Sequence, residues 1–517
     1  MSNPPRSNWS RRRFLAAAGA VAVSGVAFGA VLDQLMARPG TSPAVPGGEA
    51  SGAPPSPAPS GGPADVLAGA DGRHHYLSRP DLTPPIVELL PSAGTPSAGL
   101  IFFTPGNGIG TDGPLIVDNA GHPVWIKADA NGLGASTFRP VTHQGRPALA
   151  WWEGGNNNGI GIGEFVLADS SYIEIGRVKA VGASRADHHE FLVTDHGSAL
   201  IFSDSGVEAT RVAGASAQPW QVLDCAIQEI DITTGRLLFE WHSVDHIGLG
   251  ETLVDPPATP GVLYDYVHTN SIEVDHDGNL LMSARNTSTI YKIDRGTGDI
   301  IWRLGGKASD FALNPGAAFS WQHDVRRQPD GSLSMFDDNA APGTSRALVL
   351  AVDEAARTAS MVRAYAHSPA LLATSEGSVQ LLANGNVFVG WGSVPQFSEF
   401  SRDGWLVFDA TFPASGISYR DQRFPWVGRP AESPAVAVRA EGSRLTLYAS
   451  WNGATEVAGW QALAGSSGTT LAVAGSARRT GFETAIPLTR SAPIVAARAV
   501  DRNGAVLGTS LPVRAPT

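Results

Sequence analysis

The chain has 517 residues, 43% hydrophobic and 16% charged, with 59 Gly and 37 Pro; that is ample for a large core and implies several domains or one large repeat domain. A net charge of -11, with no basic stripe in the globular part, excludes nucleic acid as a partner, because phosphate binding needs a positive face. The single cysteine, Cys225, excludes an intrachain disulfide.

Residues 1–37 read as an address. Ser10-Arg11-Arg12-Arg13-Phe14-Leu15 precedes an Ala/Gly-rich apolar run to Leu32, the pattern of a twin-arginine signal. The partner implied is the twin-arginine export machinery, and the expected location is extracellular or in the cell envelope. At about 17 residues the run is at the short limit for spanning a bilayer. Small residues at Ala27 and Gly29 suit a peptidase but fall inside it, so cleavage and retention as a membrane tether both stay open. Residues 38–70 are mostly Pro, Gly, Ser and Ala, too poor in large side chains to fold, and read as a disordered linker.

Residues 95–430 repeat loosely. Glycine turns fall at His196-Gly197, Asp277-Gly278, Asp330-Gly331 and Asn384-Gly385, each followed by an alternating strand: "SALIFSD", "NLLMSAR", "SLSMFDD", "NVFVGWG". The first interval is longer, with an insertion around residues 206–222. Between them lie "QEIDITTGRLLFEWHS" and "TIYKIDRGTGDIIWRLGG", hairpins with a tryptophan on the outgoing strand. A unit of about 50 residues holding four short strands is a propeller blade. The expected fold is therefore all-β, a six-bladed β-propeller, with a sandwich or solenoid as the competing architecture. Residues 431–517 change texture to short alternating strands, which suits a small immunoglobulin- or fibronectin-like β-sandwich. Trp451 and Trp460 are expected to serve in core or interface packing there, not as a ligand platform.

Eight positions before the turn glycines stand His189, Asn270, His323 and Gly377; seven after them stand Asp204, Arg285, Asp338 and Gly392. Equivalent positions of equivalent blades gather around one axis. His268, two residues before Asn270, is expected on the same face of an extended strand. Asp204 and Asp338 read as carboxylates that position histidines or close turns. His242, His246 and His276 share no register and read as surface or loop residues.

Three histidines could hold zinc, but an arginine aimed at the same point repels a cation, so no metal is expected. Arg285, Asn270 and two imidazoles suit an anion with several oxygens. A remaining neutral histidine can attack a phosphoryl or sulfuryl centre. No G-x-x-x-x-G-K-[ST] loop is present, so nucleotide-dependent transfer has no support and no cofactor is expected.

At "HEFLVTDHGSALI", "DYVHTNSIEVDHDGNLLMSARN", "WQHDVRRQPDGSLSMFDDN" and "SEGSVQLLANGNVFVGWG" the sequence resembles the bacterial aryl-sulfate sulfotransferases, the arylsulfotransferase family that works without a nucleotide sulfate donor. In the actinobacterial and fungal branch the resemblance runs on through "YASWNGATEVAGW". It implies a six-bladed propeller with a transiently sulfated histidine, an aryl sulfate donor and a phenolic acceptor. By motif, it places the nucleophile on His323, sulfate-binding and acid/base residues on His268, Asn270 and Arg285, and a further channel histidine on His189, with His188 the alternative. "FDDNAAPGTSRA" follows the family's F-D-N-G type stretch only loosely, and the family's disulfide has no counterpart. A sulfatase-like hydrolase and a non-catalytic ligand- or partner-binding propeller are the competing functions.

Because the leader is read by a receptor and not by hydrophobicity alone, replacing Arg11 and Arg12 together by Lys should trap folded protein in the cytoplasm. Cell fractionation checks this, and undiminished export would overturn the twin-arginine reading.

Overall fold

The computed structural model describes residue 69 and residues 71–106, 111–127, 132–157, 159–182, 185–215, 220–259, 261–341, 343–442, 444–489 and 492–516. All belong to one unit, Gly62–Thr517. The leader (1–37) and nearly all of the linker (38–70) lie outside the described residues. Among the described residues no helix is long and apolar enough to cross a membrane.

The molecule is all-β, built from sheets that succeed one another along the chain. Sheet A holds Leu100–Phe103, Leu115–Val117 and Pro123–Ile126, with Gln422–Phe424 paired to the first. Sheet B holds Gly134–His143, Arg146–Asn157, Ile160–Asp169 and Glu174–Val178. Sheet C holds Arg185–Val193, Ser198–Glu208, Gln221–Asp231 and Leu237–His242. A single pair, Gly163↔Ala186, joins sheets B and C into one eight-stranded sheet. Sheet D runs Thr269–Val274, Leu280–Ala284, Thr289–Ile293, Ile300–Gly305; sheet E runs His323–Arg327, Leu333–Ala341, Thr344–Asp353, Thr358–Tyr365; sheet F runs Ser378–Leu381, Val387–Gly390, Gln396–Phe400, Leu406–Thr411.

The first strands of sheets B to F touch in succession, and that of F touches Gln422–Phe424 of sheet A. This arrangement is propeller-like. The inner strands are buried on both faces, as "LIFF", "LIV" and "VFVG" show, which is why they read as continuous apolar runs instead of strict alternations. The turn glycines at 197, 278, 331 and 385 all have positive φ, between 79° and 87°, which excludes most other residues there. Two tryptophans on fourth strands tie each sheet to the next. The Trp241 indole donates to the Gly298 carbonyl at 2.9 Å, and the Trp302 indole donates to Glu354 at 3.0 Å.

Two further sheets follow: a three-stranded one (Ala435–Glu441, Arg444–Ser450, Glu483–Pro487) and a five-stranded one centred on Gly459–Gly465 and Ile494–Val500. They share one hydrophobic core in which Trp460 is buried and Trp451 packs at the margin. The stretch around Asn452 docks this region onto sheet A: its side chain both accepts from Ile126 N at 2.9 Å and donates to Ile126 O at 2.8 Å. Residues 71–94, for which the sequence suggests no element, form a strap. Glu88–Leu89 pairs with the outer strand of sheet F, and the amides of Leu77 and Ser78 donate to the Glu483 carboxylate.

At the centre, Glu190 on the first strand of sheet C accepts from Arg139 of sheet B, from Arg326 of sheet E and from Arg420, which follows sheet F. Asp324 pairs with Arg326 at 2.8 Å and accepts from Val379 N of sheet F at 3.1 Å. Burial alone would raise the Glu190 carboxyl, but Arg326, Arg420 and Arg139 outweigh it and hold the group below its usual range. Removing the central anion leaves three guanidinium groups crowded without it. Glu190→Ala should therefore cost about 3–5 kcal/mol, read as a lower denaturant midpoint at unchanged slope.

Candidate active site

His323 opens the first strand of sheet E and is buried. Its placement depends on Gln322, whose Nε2 donates to Ser283 Oγ at 3.0 Å and to the carbonyls of Ala284 and Thr289, each at 3.2 Å. The Gln322 carbonyl in turn accepts from Asn270 Nδ2 at 2.7 Å. Sheet D thus fixes the peptide from which the imidazole projects. His323 Nδ1 lies 2.8 Å from Asp338 Oδ2, so the carboxylate seven residues past the turn glycine orients the histidine eight residues before it.

The other imidazoles follow the same plan. His189 Nδ1 meets Asp187 Oδ1, and His268 Nδ1 lies 2.5 Å from Asp265 Oδ2. The His189 and His268 ring centroids are 5.0 Å apart. The Tyr419 ring stands 5.2 Å from His189 and 6.4 Å from His323, so one aromatic ring links the cluster. His189 faces this cluster. His188 packs on Trp152 at 5.5 Å and lines a neighbouring cleft.

One step of the sequence reading is corrected. His268 is not on an extended strand: its φ is 55°, and the pairing shifts register between Thr269 and Ser271, around Asn270. A left-handed residue followed by a bulge, not strand alternation, carries the His268 ring toward His189. Asp324 and Trp321, beside His323, also have positive φ (53° and 58°). Backbone strain collects at this site.

Arg285 follows the second strand of sheet D. Its guanidinium stacks 4.9 Å over the Trp321 ring and donates to Asn286 Oδ1 at 3.1 Å and to Thr374 O at 2.9 Å. Its Nε is enclosed with no hydrogen-bond partner. A guanidinium carries five N–H donors, and a buried one left unsatisfied is costly. An anionic oxygen would satisfy it. Asn270 has one N–H committed to Gln322, and its Oδ1 is buried without a partner.

Electrostatics sort the imidazoles. Burial is the main force holding His323 far below the ordinary histidine value, with the positive charge of Arg285 next and then His189 and His268. Burial likewise takes His189 down to about 3, against the opposing pull of Asp187. Burial also raises the Tyr419 phenol well above 10, so Tyr419 stays a donor, to the Asn270 carbonyl at 3.0 Å. A cluster that mixes three imidazoles, a fixed cation and carboxylates behind the rings suits nucleophilic attack on an anionic centre. Asp187, His188 and His189 bring their ligand atoms within 4.8 Å of one another, but Asp187 is already taken by the amides of Gly161 and His189.

Sequence register brings His189, Asn270, His323, Arg285 and Asp338 to the first and second strands where these contacts form. It misses Asp187, Asp265 and Tyr419. The first two were within reach as D-x-H and D-x-x-H spacings; Tyr419 lies in a connection outside the repeat and gives no signal. Asp204 is half-buried on the second strand of sheet C, where Cys225 and neighbouring carboxylates surround it. His242 pairs with Asp224 at 2.7 Å and His246 stacks on Trp241, both away from this cluster.

Groups whose values lie well below 6.5 stay neutral as pH falls through that point. In histidine-labelled protein followed by NMR, the His189 and His323 rings should therefore show no titration between pH 8 and 5. A midpoint near about 6.5, as for a free imidazole, would show that these rings are solvated.

Residues 139–413 match the family model described as "Arylsulfotransferase (ASST)". No curated protein sequence matches the chain. Among solved structures, a protein of unknown function from Bacteroides caccae matches at 12% identity and TM-score 0.41, covering 63% of this chain and 98% of that one. A virginiamycin B lyase from Staphylococcus aureus matches at 10% identity and TM-score 0.34 (70% and 94% covered). The periplasmic gluconolactonase of Pseudomonas aeruginosa matches at 15% and 0.34 (81% and 97%). Likeness of that degree says nothing of chemistry. The family match spans more than half of the sequence, from the strand of Arg139 through all the histidines of the cluster, and the chain belongs to the arylsulfotransferase family.

Proposed function

We propose that the protein moves a sulfuryl group from an aryl sulfate ester to a phenolic acceptor through a sulfated His323, without a nucleotide sulfate donor. The observation that carries this reading is the pairing of a buried imidazole, kept neutral by burial and oriented by Asp338, with a guanidinium that has an unsatisfied N–H beside it. With Nδ1–H donating to the Asp338 carboxylate, the lone pair sits on Nε2. Nε2 attacks sulfur, the N–S bond forms and the S–O bond to the aryl group breaks. Phenolate leaves and takes a proton from His268. The imidazolium charge of the adduct is balanced by Asp338. In the second half-reaction the acceptor phenol gives its proton to His268, its oxygen attacks sulfur and the S–N bond breaks. Arg285 and the free N–H of Asn270 hold the sulfuryl oxygens as charge shifts, with His189 beside them.

In this reading sheets A to F are the blades of a six-bladed propeller with its substrate channel at the first strands, and the two C-terminal sheets are a sandwich. The "YASWNGATEVAGW" stretch supports membership of the actinobacterial and fungal branch. The arginine-led N-terminus supports export by the twin-arginine route, to the outside or to the cell envelope.

Intact-mass and peptide analysis after mixing with a chromogenic aryl sulfate, quenched in alkali, should find one added sulfuryl group on the peptide of His323. His323→Ala should lose adduct and turnover, by at least about 10³-fold, while staying folded. Turnover that depends on a phenolic acceptor separates transfer from hydrolysis. Label on His268 or His189 would reassign the nucleophile, and absence of any adduct during turnover would overturn the covalent route.

A further inference from the structure

Beside the histidine cluster lies a cleft of about 480 Å³, in the size range of small-molecule sites. Trp152 and Ile417 supply apolar wall; His188, Asp112 and Glu376 supply polar groups. Its described lining contains no Lys or Arg. Tyr419 belongs to both cleft and cluster, its ring 5.5 Å from His188 and 5.2 Å from His189. Whatever occupies the cleft therefore reaches the imidazoles past one aromatic ring.

Glu376 is held there by backbone strain. Its φ is 69°, and the next residue, Gly377 (φ 102°), donates its amide to the Tyr419 carbonyl at 3.1 Å. A Cβ on Gly377 would come within 2.5 Å of the Phe336 ring, so the chain cannot relax at that point. The Glu376 Oε2 is enclosed with no hydrogen-bond partner, as is Nδ1 of the buried His188. An enclosed carboxyl oxygen without a donor is a standing cost, which an incoming ammonium group would remove. A carboxylate or sulfonate in the same place would face two acids and no cation.

We propose that this cleft receives the aryl body of the acceptor and selects phenols bearing a positively charged amine over neutral and anionic phenols, with Glu376 as the specificity-determining carboxyl and Asp112 in support. The inference rests on the sulfuryl-transfer reading above. It deepens that reading by naming the acceptor class.

The full-length protein is mixed with 4-nitrophenyl sulfate alone and then with tyramine, 4-ethylphenol or 3-(4-hydroxyphenyl)propionate. A nitrophenolate burst without acceptor tests the transfer reading, and its absence would overturn that reading by itself. With the burst present, kcat/KM should fall in the order cationic, neutral, anionic, by about tenfold or more from cationic to neutral. A flat or reversed order overturns the inference and leaves the transfer reading standing. Glu376→Gln should shrink the tyramine-to-ethylphenol ratio about tenfold; an unchanged ratio in a folded variant, checked by thermal melting, overturns the role of Glu376. If that variant fails to fold, Asp112→Asn is read for the same ratio, and an unchanged ratio there has the same force.

Discussion

The Glu190 carboxylate is the constraint on which the rest of the molecule depends. A carboxylate with no exposed surface survives only when cations and donors surround it, and here three arginines converge on it from sheet B, from sheet E and from the segment after sheet F. Each of those side chains can reach Glu190 only if the first strands are in their proper order and register. The network also forms the floor of the histidine cluster. Arg420 donates at 2.9 Å to the same Asn270 carbonyl that accepts from Tyr419, so the ring linking the histidines rests on the residues that hold the centre together.

Above that floor, chemistry is organised by three aspartate–histidine pairs, none built the same way. Asp187 and His189 share one strand, Asp265 reaches His268 from the preceding turn, and Asp338 reaches His323 across a hairpin. In each pair the carboxylate faces Nδ1 and not Nε2. Burial keeps two of the rings neutral, and Arg285 supplies the fixed positive charge that neutral imidazoles lack. The neutral imidazoles and the fixed cation are thus separate groups, set by separate strands.

Much of this was legible in the sequence because repetition converts spacing into geometry. Counting eight positions back from the turn glycines puts His189, Asn270 and His323 on first strands, and counting seven forward finds Arg285 and Asp338. Repetition gives no purchase where the backbone breaks its own rules. Strand alternation gave His268 the right neighbourhood for the wrong reason, since a left-handed residue and a bulge do the steering. Tyr419 and Arg420 come from a connection with no counterpart elsewhere, and the Glu190 network depends on contacts among four distant segments. The strap at residues 71–94 was missed because its prolines and sparse apolar residues carry no period, although Tyr76 and Leu82 are buried in the core beside Phe482.

The pairing of Leu100–Phe103 with Gln422–Phe424 also sets a timetable. Sheet A is begun early in synthesis by Leu100–Phe103 and finished by Gln422–Phe424, the last strand of sheets A to F, so its inner edge stays open throughout synthesis of the intervening chain. Contacts this distant in sequence are the slowest to find each other, and an open edge invites pairing with other chains. The nascent protein therefore spends its longest unprotected interval with sheet A incomplete, and a chain that terminates before residue 422 lacks the strand that covers that edge.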